Sequence, residues 1–190
     1  MRLNNKKVLA RLFAIGAALA LLGTTASANP FVLDWRVIGF GQDSGSCETG
    51  TFMSGCTSIT AGSAQGTHIG SGAYSLTVTT GNDKAGGGTD NHATNASGGK
   101  CLPANNNTGS GMITAADGST INFNTVGWLC EEGGPGSSYH YNGTYRITGG
   151  TGRFSGAVGG GRLTYTVEKS GLLSPTNGNS YMKVDGTINF

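Results

Sequence analysis

The sequence has few of the features that nucleotide-binding, metal-binding and serine-dependent enzymes use for their chemistry. It contains no Gly-Lys-Ser/Thr triplet of a phosphate-binding loop and no Gly-x-Ser-x-Gly motif around a nucleophilic serine. Its three histidines never stand two or four residues apart, and its four cysteines form no Cys-x-x-Cys pair. Only 12% of the residues are charged, without a long run of one sign. We therefore predict no metal site and no cofactor.

The first 28 residues have the organisation of a secretory signal peptide. Residues 1–11 carry four basic residues and no acid, an apolar run follows from Leu12 to Leu22, and Ala26-Ser27-Ala28 forms an Ala-x-Ala cleavage site. The apolar run is shorter than a typical membrane span, and a retained membrane anchor is the alternative interpretation. We expect cleavage after Ala28, which predicts a secreted or periplasmic protein with no membrane span after cleavage.

Cleavage changes the charge of the chain. Residues 29–190 form a single domain of 162 residues with eight basic and ten acidic side chains, a net charge of −2. No basic patch remains that would attract nucleic acid or anionic lipid, so we predict no nucleic-acid partner. The oligomeric state does not follow from the sequence.

All four cysteines lie in this domain. An even number of cysteines in an exported chain favours disulfides, and the spacing argues against the alternative of a structural zinc site. Of the three pairings that four cysteines allow, we predict Cys47–Cys56, which closes a short loop, together with Cys101–Cys130.

The domain shows no helical period but several short segments in which apolar and polar residues alternate. The clearest is Tyr181–Phe190, where Met182, Val184 and Ile188 share one face. Eight or nine such segments predict an all-β fold, either an antiparallel β-barrel or a β-sandwich. The predicted strands are Val32–Phe40, Thr57–Ala61, 72–80, Met112–Ala115, Thr120–Thr125, Val126–Cys130, Tyr141–Thr148, Arg162–Glu168 and Tyr181–Phe190.

Two polar, glycine-rich stretches interrupt the alternation. One is Asp43–Ser54, and the other is an insertion at about 81–109 that contains almost no apolar residues. A connection as long as the insertion is either functional or disordered. We predict that it is a mobile loop.

Seven glycines lie in the segment 147–167, ITGGTGRFSGAVGGGRLTYTV. A phosphate-binding loop would need a helix after it, whereas RLTYTV alternates as a strand. Glycine tolerates tight turns and bends in strands, so we predict that Ile147 ends one strand and that Arg162–Glu168 is the next. In the predicted turn, Phe154 anchors the loop on the core, Arg153 points outward or ties the turn down, and the glycines of the turn are Gly149, Gly150 and Gly152.

Several segments resemble a known group of proteins. They are GTHIG at 66–70, GMITAADGSTINF at 111–123, YNGTYRITGGTGRFSGAVGGG at 141–161 and DGTINF at 185–190. The group comprises bacterial exported proteins related to the allene oxide cyclase and dirigent barrel superfamily, and the resemblance covers roughly 57–80 and 110–190. It implies a single eight-stranded antiparallel barrel with an apolar lumen.

Plant members of that superfamily cyclise an oxidised fatty acid or direct the coupling of phenolic radicals. We match none of their catalytic residues to a position in this chain, so the resemblance assigns no catalytic role. The polar insertion and the four cysteines also distinguish this chain from the plant enzymes.

The candidates for catalysis are two acids and a histidine. Glu131 and Glu132 are adjacent, so one of them would face the interior and act as an acid or base if the strand continues; two solvated acids are the alternative. His140 is the histidine best placed to reach a pocket mouth, whereas we expect a structural hydrogen bond for His68. The candidates for a ligand-binding cavity, which alternatively fill the core, are Phe123, Trp128, Tyr165 and Phe190.

These observations leave three functions open. The first, which we favour, is a non-catalytic module that binds a small apolar ligand or a surface partner. The second is a cyclase or isomerase that acts in the barrel lumen, and the third is a structural protein of the envelope or matrix. A buried charged group in an open lumen would favour the enzyme, an open apolar lumen a carrier, and a filled lumen the structural protein.

Overall fold

The computed structural model of the chain describes residues 32–46, 56–80, 93–102, 107–132, 138–168 and 178–190. The predicted signal peptide, residues 1–28, lies outside these ranges. Within them, no helix has the length and apolar character needed to cross a membrane.

Antiparallel strands make up most of the described chain. A single turn of 3₁₀ helix, Gly152–Phe154, lies between the eighth and ninth strands. The ten strands are β1 (Leu33–Ser46), β2 (Thr57–Gly66), β3 (Gly70–Thr80), β4 (Ala93–Thr94), β5 (Lys100–Leu102), β6 (Asn107–Thr114), β7 (Thr120–Glu131), β8 (Tyr139–Gly150), β9 (Val158–Val167) and β10 (Gly178–Asn189).

Eight of these strands close into a barrel. Each strand of the series β1, β2, β3, β6, β7, β8, β9 and β10 pairs with the next one along the chain. The ring closes between β10 and β1, from Leu33 opposite Ile188 to Asp43 opposite Gly178. The predicted eight-stranded antiparallel barrel is therefore confirmed, and the alternative β-sandwich is wrong because the pairings form one continuous ring.

The strands are longer than the alternation predicted. β1 continues beyond Phe40 to Ser46 and so enters the polar stretch that begins at Asp43. The segments Thr120–Thr125 and Val126–Cys130, predicted as two strands, form the single strand β7. Backbone pairing with both neighbours holds these polar residues in the sheet, and this pairing is not visible in local sequence.

Aromatic and aliphatic side chains that point inward fill the barrel. Several of the aromatic rings lie over glycines of other strands, where a side chain would collide with them. A Cβ atom built on Gly39 would lie 2.7 Å from the Tyr74 ring, and one on Gly111 would lie 2.2 Å from the Phe123 ring. Glycine inside this barrel therefore provides room for rings as well as bends in strands.

Part of the predicted mobile insertion is ordered. β4 pairs with β5. β5 pairs with Leu129 and Cys130 of β7, beyond Val126, where the pairing of β7 with the start of β6 stops. Cys101 lies opposite Cys130 and forms a disulfide with it, and Leu102 is fully buried. The prediction of a loop is therefore wrong for 93–102, because an unoccupied edge of β7 and a cross-link order this polar segment. Residues 81–92 and 103–106 lie outside the described ranges, as does Cys47 of the predicted Cys47–Cys56 pair.

The glycine-rich segment bends as predicted, but at different residues. β8 ends at Gly150 and not at Ile147, and its pairing with β7 shifts register between Asn122 and Phe123. Gly149, which lies opposite Asn122, has a φ of 146° that suits glycine. After the 3₁₀ turn the chain forms strand β9, which begins at Val158 and not at Arg162, so no α-helix follows the glycines.

Short turns cover one end of the barrel, here called the turn end. Phe154 is fully buried there, and Arg153 Nη2 donates a hydrogen bond of 2.7 Å to the His68 carbonyl. Arg153 Nε also lies 3.4 Å from an Asp117 carboxylate oxygen, so this one side chain joins three turns. Residues 47–55, 81–92, 133–137 and 169–177 lie outside the described ranges.

Candidate functional site: a buried acid inside and an aromatic pair outside

Among the residues that the structure describes, the side chains that point into the lumen leave little free space. Its cavity is about 20 Å³, and lies at the end opposite the turn end. A cavity of this size accommodates about one water molecule. The residues around it are Asp43, Cys56, Ser58, Val78, Thr80, Leu129, Tyr139, Tyr141, Tyr165 and Val167.

Asp43 is the acid that faces this cavity. It continues the inward-facing row of β1 and is only 4% exposed. One of its carboxylate oxygens, Oδ1, accepts hydrogen bonds from Thr60 at 2.7 Å, from Tyr165 at 2.5 Å and from Ser58. The hydroxyl oxygens of Thr60 and Tyr165 also lie within hydrogen-bonding distance of each other. Three strands, β1, β2 and β9, are thus joined across the lumen by one carboxyl group.

Burial controls the protonation of this cluster. It raises the pKa of Asp43 above the ordinary value, and the hydrogen bonds from Ser58, Tyr165 and Thr60 oppose this rise. Burial also raises the pKa of Tyr165, and the nearby charge of Asp43 raises it further. The cluster therefore contains a buried carboxyl group that is hydrogen-bonded to a tyrosine hydroxyl. A proton transfer in the lumen would need an acid and a base of this kind.

A second buried polar pair lies beside the first. The hydroxyls of Tyr74 and Ser180 are 3.1 Å apart. Burial raises the pKa of Tyr74, the hydrogen bond with Ser180 opposes this, and the charge of Asp43 adds to the rise. The polar groups at this end of the lumen consequently influence one another through Asp43.

Of the two predicted acids, Glu131 continues the inward-facing row of β7 and Glu132 does not. Glu131 is 3% exposed, and its Oε2 accepts a hydrogen bond of 3.0 Å from the backbone N–H of Lys100 in β5. Its backbone carbonyl accepts another, of 2.6 Å, from Asn95 Nδ2. Glu132 is exposed beyond the end of β7. Glu131 therefore fastens the outer strands to the barrel, and Glu132 lies in solvent.

His140 and Trp128 lie on the outer wall. His140 faces away from the lumen, and its Nδ1 is 3.0 Å from the Thr166 hydroxyl. Trp128 is 46% exposed, and both residues line an outer groove of about 530 Å³ together with Arg162. His140 therefore reaches a groove on the outside of the barrel, and Trp128 does not face the lumen, because each side chain has outward parity on its strand.

The remaining predicted residues divide between the lumen and the turn end. Phe123 and Tyr165 are both 2% exposed and point into the barrel. Phe190 is 45% exposed, and its ring centroid is 4.9 Å from that of Phe154 at the turn end. It therefore packs on a turn and does not line the lumen.

The outer wall carries a pair of exposed aromatic rings, here called the aromatic ridge. Phe40 of β1 and Tyr181 of β10 are direct cross-strand partners with ring centroids 5.2 Å apart. Their exposed fractions are 61% and 38%. A groove of about 580 Å³ lies on the β2 side of the ridge and another of about 470 Å³ on the β9 side.

Neither Asp43 nor the two residues of the aromatic ridge were among the predicted site residues. The signal for Asp43 is its parity alone, because it stands an even number of positions after Trp35 and Val37, which form the apolar face of β1. For the ridge, Phe40 and Tyr181 both stand one position out of phase with the apolar face of their strands.

Within the described residues, no group of three or more His, Cys, Asp or Glu side chains is arranged to hold a metal ion. No protein-family model matches the chain. No curated protein matches it either. The function of the candidate sites is therefore inferred from their geometry alone.

Proposed function

We propose that this protein is an exported, non-catalytic binding module that contacts its partner through the outer wall of the barrel. The leader-like residues 1–28 support a location outside the cytoplasm. The motifs that resemble those of bacterial exported barrel proteins of the allene oxide cyclase and dirigent type also support a location outside the cytoplasm.

The observation that carries the proposal is the contrast between the two faces of the wall. The lumenal cavity of about 20 Å³ is too small for an organic ligand, whereas ligand sites commonly measure hundreds of cubic ångströms. The outer wall has grooves of about 580 and 470 Å³ on either side of the aromatic ridge. Exposed aromatic side chains beside grooves are typical of binding surfaces.

A sedimentation assay with washed cell envelopes of the producing organism tests the proposal. Wild-type protein should sediment with the envelopes, and the double variant F40S/Y181S should remain in the supernatant. The matched control is M112S, which removes an exposed apolar side chain from β6, the strand diametrically opposite β10 in the ring, and should sediment like the wild type. Circular dichroism confirms that each variant is folded. Equal sedimentation of F40S/Y181S and wild type, or none by the wild type, would contradict the proposal.

A cyclase or isomerase that acts in the lumen is a second candidate, favoured by Asp43 alone. A buried acid with a raised pKa is a common general acid or base. This candidate needs the end of the barrel near Asp43 to open beyond the cavity of about 20 Å³. Native mass spectrometry of protein purified from its own host separates the candidates, because a retained small molecule would favour the lumen. The filled lumen also fits the third candidate, a structural envelope protein, which would retain no small molecule and would lose no binding in F40S/Y181S.

A further inference from the structure

We propose that the β9-side groove, next to the aromatic ridge, binds a neutral glycan. This inference rests on the proposed function and names the chemical class of the partner. The groove is lined by Phe40, Gly41, Thr166, Glu168, Asn179, Ser180 and Tyr181.

The rings provide a platform for the apolar face of a sugar. A pyranose ring presents axial C–H groups on one face, and these pack on the electron-rich face of an aromatic ring. Phe40 and Tyr181 are held at paired strand positions, so binding need not order a loop. Their exposed fractions of 61% and 38% leave ring surface available to a ligand.

Polar groups beside the rings match sugar hydroxyls. Gln42 Nε2 donates a hydrogen bond of 2.9 Å to Asn179 Oδ1. This bond fixes the orientation of the Asn179 side-chain amide, so that its N–H₂ group points away from Gln42. Glu168 is exposed, and its carboxylate has no hydrogen bond or ion pair with any residue that the structure describes. An amide donor and a carboxylate acceptor next to a stacking ring can hold adjacent hydroxyls of a sugar.

The charge of the groove favours a neutral glycan over an anionic one. The groove contains the acidic Glu168 and no lysine, arginine or histidine among its described lining residues. The nearest basic side chain along β10, Lys183, forms an ion pair of 2.7 Å with Asp185, which also accepts a hydrogen bond of 2.9 Å from Arg36. An anionic sugar in this groove would meet repulsion from Glu168, whereas a neutral one would not.

Affinity electrophoresis measures the binding of soluble polysaccharides by the retardation of the protein in a native gel. The neutral probes are hydroxyethyl cellulose, arabinoxylan and glucomannan, and alginate is the anionic probe. We expect retardation by at least one neutral polysaccharide and none by alginate. Y181S should weaken the binding ~10-fold, as expected for a central aromatic contact. Y181F should retain it because the ring remains, E168Q should weaken it less than Y181S does, and M112S should leave it unchanged.

Failure of this inference is distinguishable from failure of the proposed function. Envelope binding that depends on the aromatic ridge, without retardation by any neutral probe, would overturn the glycan and leave the outer-wall partner standing. Retardation that is equal in wild type and Y181S would overturn the groove as the site. Light scattering after size exclusion gives a third readout: a wild-type dimer that F40S converts to a monomer would assign the ridge to a second copy of the chain and overturn the glycan.

Discussion

At the scale of single residues, Asp43 is the most unusual group in the barrel. A carboxyl group that is 4% exposed is costly unless hydrogen bonds or protonation compensate for its desolvation. Three hydroxyl donors provide the first, and the raised pKa provides the second. Both Asp43 and its partners therefore matter to stability whether or not the cluster has a chemical role.

Replacing Asp43 by asparagine should change how stability depends on pH. The folded pKa of Asp43 lies above the ordinary value of 3.8, so its contribution to stability is fully present below about pH 3.8 and is lost as pH rises through the folded pKa. The asparagine side chain of D43N keeps a carbonyl acceptor but does not titrate. The free energy of unfolding of the wild type minus that of D43N should therefore fall between pH 3 and pH 7, as measured by urea unfolding.

Subtracting the unfolding free energy of D43N from that of the wild type cancels the contributions of acids that titrate in both proteins. Asp117 and Asp185 have lowered pKa values, because hydrogen bonds with Ser119 and Lys183 respectively favour their charged forms. Their contributions to the pH profile cancel in the comparison. Parallel profiles of wild type and D43N, or a difference that grows with pH, would show that Asp43 is not desolvated as the structure indicates.

At the scale of secondary-structure elements, the glycines differ in what they do. Gly156 has a φ of 80°, and a Cβ atom there would have nothing within 4 Å, so only its backbone conformation favours glycine. Gly159 has a φ of 153°, and a Cβ atom there would also lie 2.2 Å from the Thr187 carbonyl oxygen of β10. The first glycine serves a turn, and the second also allows two strands to approach each other.

This difference predicts unequal costs for two similar substitutions. G156A should lower the free energy of unfolding by about 1–2 kcal/mol, the cost of a left-handed conformation for a residue with a Cβ atom. G159A should cost about 3 kcal/mol or more, because the collision with a backbone carbonyl adds to the conformational term. Urea unfolding of both variants at neutral pH measures the two values. Equal losses would show that β9 moves away from β10 at no cost.

The same elements show what could be predicted from the sequence. Alternation located every barrel strand because the inward and outward faces differ in polarity over a few residues. Trp128 was misplaced because β7 was predicted as two strands; on one strand, Phe123 and Trp128 are five positions apart and cannot face the same side. Asp43 was missed because Gly39 and Gly41, which precede it on the inner face, carry no apolar side chain that would extend the pattern.

At the scale of the whole molecule, the buried tyrosines determine the highest pH at which the barrel stays folded. Burial raises the pKa of Tyr139, Tyr141 and Tyr145 to about 12 each. Tyrosine in the unfolded chain has a pKa near 10.0, so the stability that these groups provide is fully present below pH 10 and is lost as pH rises towards 12.

Alkaline titration should therefore show tyrosine ionisation and unfolding together. The absorbance of tyrosinate at about 295 nm and the far-ultraviolet circular dichroism should change in one transition above pH 10 for most of the tyrosine signal. Y141F, which removes one titrating group from the lumen, should make the fall in unfolding free energy less steep between pH 10 and pH 12. Complete ionisation at pH 11 in a protein with an unchanged dichroism spectrum would contradict the burial of these hydroxyls.

The order of the strands makes a final prediction about the molecule as a ring. Every barrel strand pairs with its neighbours in the chain, and β10 closes on β1 with Leu33 opposite Ile188, so the two ends of the described barrel lie side by side. Joining residue 190 to residue 32 through a short Gly-Ser linker and opening the chain between Asp117 and Gly118 should therefore preserve the barrel. The new ends lie in an exposed turn, whereas a matched permutant opened after Thr125, in the middle of β7, breaks a strand that pairs on both sides. Circular dichroism and formation of the Cys101–Cys130 disulfide should be native-like in the first permutant and lost in the second; loss in both would mean that the β6–β7 turn is needed for the barrel to fold.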